Sequence, residues 1–458
     1  MANSVALKPN NEKGGGLADS NLFHLALIII FGIFATTLPQ PQVMGKLPLQ
    51  HLLKDGLHVS KTEMSTFFFW CGLFWYLKPF AGVLTDAFPL FKTRRRWYLL
   101  ISSVLAGASW ILLGLPALKM SGAANLSNQV IPYTYRSLLI GCIVINLFMV
   151  MMSTVVGAFL VEAGQSLNAT GRLTSVRQLV SNLCTFLNGP LSGWMASGLF
   201  FRAAGVNALI VLSIFPIAYV FLRERPQAVL NADAFTNAGK QLNTIFHSPS
   251  LWFALLFVAL FYFSPGFNTP LYYRQNDELH FTQQQIGNLG AWSGGFGMLA
   301  AVLYAAVIRR FSIRTVLLIG IVTAAGGTLF YLFYNNLFEA TLVESQNGFF
   351  FGFAEVALID LAARATPKGC EGLGYSLILS IRNIALFGAD IVGSKLSDAK
   401  WPFAWLVFLN AATTAIVLIL IPFMPKVLMS RRDGDTPSST DTPPVIMSTP
   451  QGRGNIEE

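Results

Sequence analysis

The chain has 458 residues, of which 53% are hydrophobic and only 12% charged. A soluble chain of this length would carry about a quarter of its residues as Asp, Glu, Lys and Arg to face water, so the composition excludes an ordinary globular protein and implies an integral membrane one. The excess of 31 Lys and Arg over 22 Asp and Glu then belongs to membrane topology and not to nucleic-acid binding.

Residues 1–20 are polar and Gly-rich and are expected to form a cytoplasmic tail. The apolar run Phe23–Val43 is too long for a signal-peptide core and is expected to stay as the first span. Successive apolar blocks predict twelve helices, at 21–43, 63–85, 97–118, 136–161, 174–198, 203–222, 249–272, 283–308, 314–335, 340–362, 371–397 and 402–424. Each is long enough to cross a hydrocarbon core of ~30 Å, and helices satisfy their own backbone donors there. The expected architecture is therefore an all-α integral membrane protein with twelve transmembrane helices in two six-helix halves, 21–222 and 249–425. Residues 223–248 read as a cytoplasmic linker, and 426–458, rich in Ser, Thr, Pro and Asp, as a disordered cytoplasmic tail. With the N-terminus inside, nineteen Lys and Arg fall on the inner side and eight outside, which predicts both termini in the cytoplasm of a multi-pass cell-membrane protein. A weak repeat joins the halves: Arg94, Arg95 and Arg96 follow the second helix, and Arg309, Arg310 and Arg314 follow the eighth. Two six-helix repeats around a central inner loop are the pattern of secondary transporters, with a solute site near the midplane.

The most specific segment runs from Trp75 to Arg96. Gly82 is expected to let a neighbouring helix approach, and Asp86 to meet Arg94, Arg95 and Arg96 in a charge-assisted gating latch; the alternative is that these arginines only mark topology. Lys78, Pro79, Gly82, Thr85, Asp86, Phe88, Pro89, Arg94 and Arg95 resemble the major facilitator superfamily and, more narrowly, its folate-biopterin transporter family. Two further segments are similar to that family more loosely: Pro265, Tyr272, Tyr273, Asn276, Leu279 and Phe281 to Gly287, and Pro367, Gly369, Glu371, Tyr375, Ser380, Asn383, Gly388 and Gly393. The resemblance implies the major facilitator fold, working by alternating access as a symporter of a folate- or pterin-like solute with protons. In the fourth helix the chain departs from the family's acidic pattern and keeps only Glu162 at the end.

Charges inside apolar helices are the remaining candidates, because an ion near the bilayer centre costs ~2.5 kcal/mol or more. Arg382 either takes a substrate carboxylate bidentately or pairs with Asp360 or Asp390. Glu355, Asp360 and Asp390 are the candidates for proton coupling, with Asp360 open to pairing with Arg364 one turn on. Lys78 either snorkels to the inner face or meets an anion. Arg177, Gln178 and Asn182 on the fifth helix, Asn146 on the fourth, and Asn268 and Tyr272 on the seventh line a solute path or bond neighbouring helices.

Other classes find less support. The chain contains no Gly-x-x-x-x-Gly-Lys-[Ser/Thr], so an ATP-driven pump is disfavoured, and its five His form no HExxH, so a metalloenzyme is too. The four cysteines have no ligand spacing, and neither metal nor cofactor is expected. The remaining alternatives are a transporter of another small organic solute or drug, and a non-transporting receptor. A monomer in the lipid bilayer is expected, with a small-molecule solute and protons as its partners.

Overall fold

A computed structural model describes residues 22–88, 90, 91, 93, 95–119, 131–166, 170–222, 232–307, 310–367 and 370–425. The side chains of 22–26, 86, 160–166, 170–179, 232–235, 305 and 371 lie outside that description.

Twelve membrane-crossing segments follow one another in alternating direction. Span 1 comprises Leu22–Thr37, Lys46–His51 and Leu52–Gly56, and span 2 comprises Lys61–Cys71, Leu73–Tyr76 and Lys78–Ala87. Spans 3 to 6 are Arg96–Gly114, Tyr135–Ser166, Thr170–Ala196 and the pair Phe200–Leu212 with Ile214–Phe221. The helix Ala232–Phe246 comes next and meets the following span at 77°, so it lies across the end of the bundle. Span 7 is Pro249–Tyr262 with Asn268–Asp277, and spans 8 to 12 are Gln283–Val307, Ile313–Thr328, Leu337–Ala365, Glu371–Asp398 and Phe403–Ile416. Capping residues set several starts. Ser60 and Glu63 form a capping box before span 2, and Ser248, Ser312 and Asn336 accept from the first turns of spans 7, 9 and 10.

Seven spans are long and apolar enough to cross a membrane on those properties alone: 3, 4, 6, 8, 9, 11 and 12. The other five are interrupted or more polar, and they supply most of the side chains discussed below. Span 1 corrects the sequence reading. It does not end at Val43 but breaks at Leu38–Gly45 and continues to Gly56. Gln42 in the break accepts from Asn146, which lies ~17 Å along span 4 from Tyr135, so the break sits at mid-membrane depth. Pro39 and Pro41 remove two backbone donors there, and the Trp110 indole donates to the Pro39 carbonyl at 2.9 Å. Lys46 and Lys54 are thus parts of a span and not of an outer loop.

Span 7, the counterpart of span 1 in the second half of the chain, is broken as well, between Tyr262 and Asn268. Several polar groups at that break find partners on other spans, as a membrane interior favours. Gly266 N–H donates to the Ala389 carbonyl, Asn410 donates to the Pro265 carbonyl, and the Thr269 N–H donates to Asp390. Gly266 and Gly393 touch backbone to backbone, leaving no room for a Cβ at Gly393. Gly189 of span 5 and Gly287 of span 8 meet in the same way.

The buried apolar residues fall into one cluster from Ile28 to Leu222, joined by Tyr272, and two clusters between Ile245 and Met424.

Candidate functional site

The centre of the bundle holds an ion pair. Arg382 of span 11 donates through Nη2 to Oε1 of Glu355 on span 10, and the Tyr262 hydroxyl of span 7 donates to the same oxygen at 3.2 Å. The guanidinium lies over the Tyr262 ring, 4.7 Å from its centroid, and its Nη1 donates to Asn383 at 3.2 Å. Arg382 Nε has no partner among the described residues. Both charged side chains keep some accessible surface, 24% for Arg382 and 29% for Glu355, so the pair is not sealed in a dry layer. Of the two alternatives for Arg382, the ion-pair one is corrected in its partner, which is Glu355 and neither Asp360 nor Asp390.

Those two carboxylates are engaged elsewhere. Asp360 accepts from Tyr304 at 2.6 Å and from Arg364 at 3.0 Å, a pairing one turn apart on its own helix. Asp390 is buried and accepts from the backbone N–H of Thr269 at 3.1 Å and its hydroxyl at 2.6 Å. It therefore caps the second helix of span 7 from a neighbouring span, a carboxylate at a helix N-terminus.

Of the other sequence candidates, Asn146 is fully buried and bonds Gln42, Cys71 and Trp75, so it ties spans 1, 2 and 4 together. Lys78 donates to Ser153 at 2.9 Å and lies over the Trp75 ring, facing span 4. Tyr272 is buried and its hydroxyl reaches Gln283 at 3.4 Å. Asn268 is exposed at the first turn of the second helix of span 7, and Asn182 is half-buried. The side chains of Arg177 and Gln178 lie outside the described residues. So do the Asp86 side chain and Arg94, and with them the latch; Arg96 donates to the Tyr219 carbonyl at 3.0 Å and stacks on its ring, while Arg95 is half-buried. Gly82 is not a tight crossing, because an added Cβ would meet Thr154 at 3.7 Å, an ordinary contact.

A sequence model of the BT1 family matches residues 42–441. The chain belongs to the BT1 family. It is similar to a folate-biopterin transporter of Synechocystis, 23% identical over 405 residues that cover 83% of this chain and 78% of the relative. Folate transporter 1 of Plasmodium falciparum is 23% identical over 379 residues, 78% of this chain and 70% of that one. The fold is that of the major facilitator superfamily: against a D-xylose-proton symporter the TM-score is 0.69 at 16% identity, covering 89% of this chain and 99% of the other.

Sequence reasoning missed several charged groups of this BT1 family member. Glu344 on span 10 sits beside the Tyr334 hydroxyl at 3.4 Å, which in turn accepts from Gln275 at 2.6 Å. At the end of the bundle that carries Asp55, Lys54 bridges Asp55 at 3.0 Å and Asp277 at 2.5 Å, and Asn276 lies 3.4 Å from Asp55. Further contacts join the same two regions. Tyr273 donates to the Val59 carbonyl, Lys61 to Ser397 at 2.8 Å, and Thr62 to Asp398 through both its backbone and its hydroxyl. Hydropathy had assigned Lys54 and Lys61 to loops, and nothing in their spacing pointed to partners more than 200 positions away. The Arg382–Glu355 pair was within reach of arithmetic. Glu355 lies ten residues from the end of span 10 and Arg382 eleven from the start of span 11, so both sit ~15 Å from the same face in antiparallel helices.

Proposed function

We propose that the solute is folate- or pterin-like and moves together with protons, in a chain that is a secondary transporter of small organic solutes. The reading is carried by the Arg382–Glu355–Tyr262 cluster: a cation and a carboxylate, side by side at mid-membrane depth and still accessible. An intramembrane ion pair of this kind is costly to keep and marks a substrate or ion path by default. The names of the Synechocystis and Plasmodium relatives support the solute class.

Arg382 offers its remaining donor to an anionic or carbonyl group of the solute, and Glu355 is the acid that gains and loses the coupled proton. Arg382 and Glu355 hold each other in an ion pair. A solute group that takes over the guanidinium breaks that pair and leaves the carboxylate to receive the coupled proton. Binding of solute and proton become linked events on one pair of side chains.

The distribution of Lys and Arg supports a reading with both termini in the cytoplasm. In that orientation the contacts of Lys54, Asp55, Lys61 and Thr62 with Asp277, Asn276, Ser397 and Asp398 close the outer face, and the cycle proceeds by breaking them. Purified protein in proteoliposomes, offered folic acid, a neutral pteridine and unrelated organic acids with and without an inward proton gradient, tests the proposal. Gradient-driven accumulation of the pteridines supports it; accumulation of none of them, or accumulation indifferent to the gradient, refutes it.

A further inference from the structure

The breaks in spans 1 and 7 are corresponding interruptions in the two halves of the chain, and such pairs of discontinuous helices point to a binding region. Lys46 is the first residue after the break in span 1, and Thr269 lies just after the break in span 7. The Lys46 amine is surrounded by protein, sits 5.9 Å from the centroid of the Phe68 ring on span 2, and is within electrostatic reach of Asp390 on span 11. The Lys46 residue as a whole is half-buried.

Asp390 does not bond it. Both of its oxygens are taken by Thr269, and among the described residues no hydrogen-bond acceptor lies on the Lys46 amine. An ammonium has three donors to satisfy and is costly at this depth without an acceptor. Lys78, by contrast, has Ser153. The carboxylate of Asp390 lowers the cost of keeping Lys46 charged but leaves its donors for something else.

We propose that Lys46 is a second anion-binding residue, which holds a carboxylate of the carried solute while the Arg382–Glu355 pair holds the other end. Asp390 and Arg382 are eight residues apart on span 11, or ~12 Å along the helix. A pteridine acid has matching parts: a ring edge with adjacent donors and acceptors at one end, a carboxylate tail at the other, and a rigid aromatic connection between them. This inference rests on the pteridine reading above and assigns the tail to a residue that reading does not use.

The test compares uptake of folic acid and of a neutral pteridine by wild-type protein and by Lys46→Gln and Lys46→Arg variants in proteoliposomes. Lys46→Gln is expected to raise KM for folic acid about tenfold, to leave KM for the neutral pteridine within about twofold, and to be rescued by Lys46→Arg. Equal damage to both solutes makes Lys46 a counter-charge for Asp390 and overturns the proposal. If wild-type protein takes up neither solute, the pteridine reading fails; Lys46 is then judged on whichever organic acid of the panel is carried, and an unchanged KM in Lys46→Gln overturns its role. Should Lys46→Gln not fold, K46C modified with an aminoethyl thiosulfonate, which rebuilds a cation, is compared with K46C modified with its methyl analogue. Only the first restores folic acid transport if the charge holds the solute; equal transport by both refutes it.

Discussion

Arg382 and Glu355 form an ion pair across spans 11 and 10 at the depth of the membrane centre, with the Tyr262 hydroxyl of span 7 on the same carboxylate oxygen. Three spans of the second half therefore meet at one oxygen atom. Any event that removes the guanidinium or protonates the acid changes the contacts of all three.

Glu355→Gln keeps the size of the side chain and a carbonyl that accepts from Arg382, but it cannot cycle a proton. Gradient-driven accumulation of solute is expected to be lost, whereas exchange of labelled for unlabelled solute at equal pH continues at a rate within about tenfold of wild type. Accumulation that still responds to the gradient would move the coupling role away from Glu355. Arg382→Ala is a harsher change, because it removes the cation and leaves the Glu355 carboxylate with only the Tyr262 hydroxyl, at a cost of about 1–3 kcal/mol. Its effect on the melting temperature has to be measured before its effect on transport is interpreted.

Asp390, one of three candidate coupling acids in the sequence, accepts from Thr269 at the first turn of Asn268–Asp277. Asp390→Ala removes a cap and the charge facing a helix N-terminus, and is expected to destabilise the protein by about 1–2 kcal/mol. Thermal unfolding in detergent would register this as a lower melting temperature with the proton dependence of residual uptake preserved. A stable Asp390→Ala protein that has lost its response to a proton gradient would instead make Asp390 a coupling group.

Much of the bundle was legible because burial in lipid selects long apolar runs, and spans 3, 4, 6, 8, 9, 11 and 12 are apolar enough to be read from hydropathy alone. Span 1 was cut short at Val43 because Pro39, Pro41, Lys46 and Lys54 read as loop residues. No hydropathy window can know that Lys54 meets Asp277. The site was legible as a set of unusual charges but not as a set of pairs. Which carboxylate Arg382 meets depends on the depth and facing of another helix, and the sequence positions of Asp360 and Asp390 made them look as eligible as Glu355.

The two glycines singled out in helices 2 and 11 should behave differently. Gly82→Ala adds a methyl that meets Thr154 at an ordinary 3.7 Å, so melting temperature and uptake are expected to stay near wild type. Gly393→Ala drives a methyl into the backbone of Gly266 at the break of span 7, and overpacking of this kind costs roughly 1–3 kcal/mol. Reduced yield and a lower melting temperature should follow. Equal tolerance of both would mean that span 7 can shift its break without loss.

The last prediction concerns the closed end. Lys54 is largely buried while Asp277 is more than half exposed, so their bridge is worth about 1 kcal/mol or less, as for other partly solvated pairs. A contribution of about 1 kcal/mol shifts a two-state equilibrium about fivefold, enough to change how often this end opens without unfolding anything. Asp277→Lys places two cations together and is expected to favour the open state, so that a single cysteine introduced at Asn268 is labelled several times faster by a membrane-impermeant reagent added from outside. The double exchange, Lys54→Asp with Asp277→Lys, restores the attraction and should return labelling towards the wild-type rate. If the single and double variants label alike, the bridge does not hold the end closed, and that task falls to the Tyr273, Lys61 and Thr62 contacts beside it.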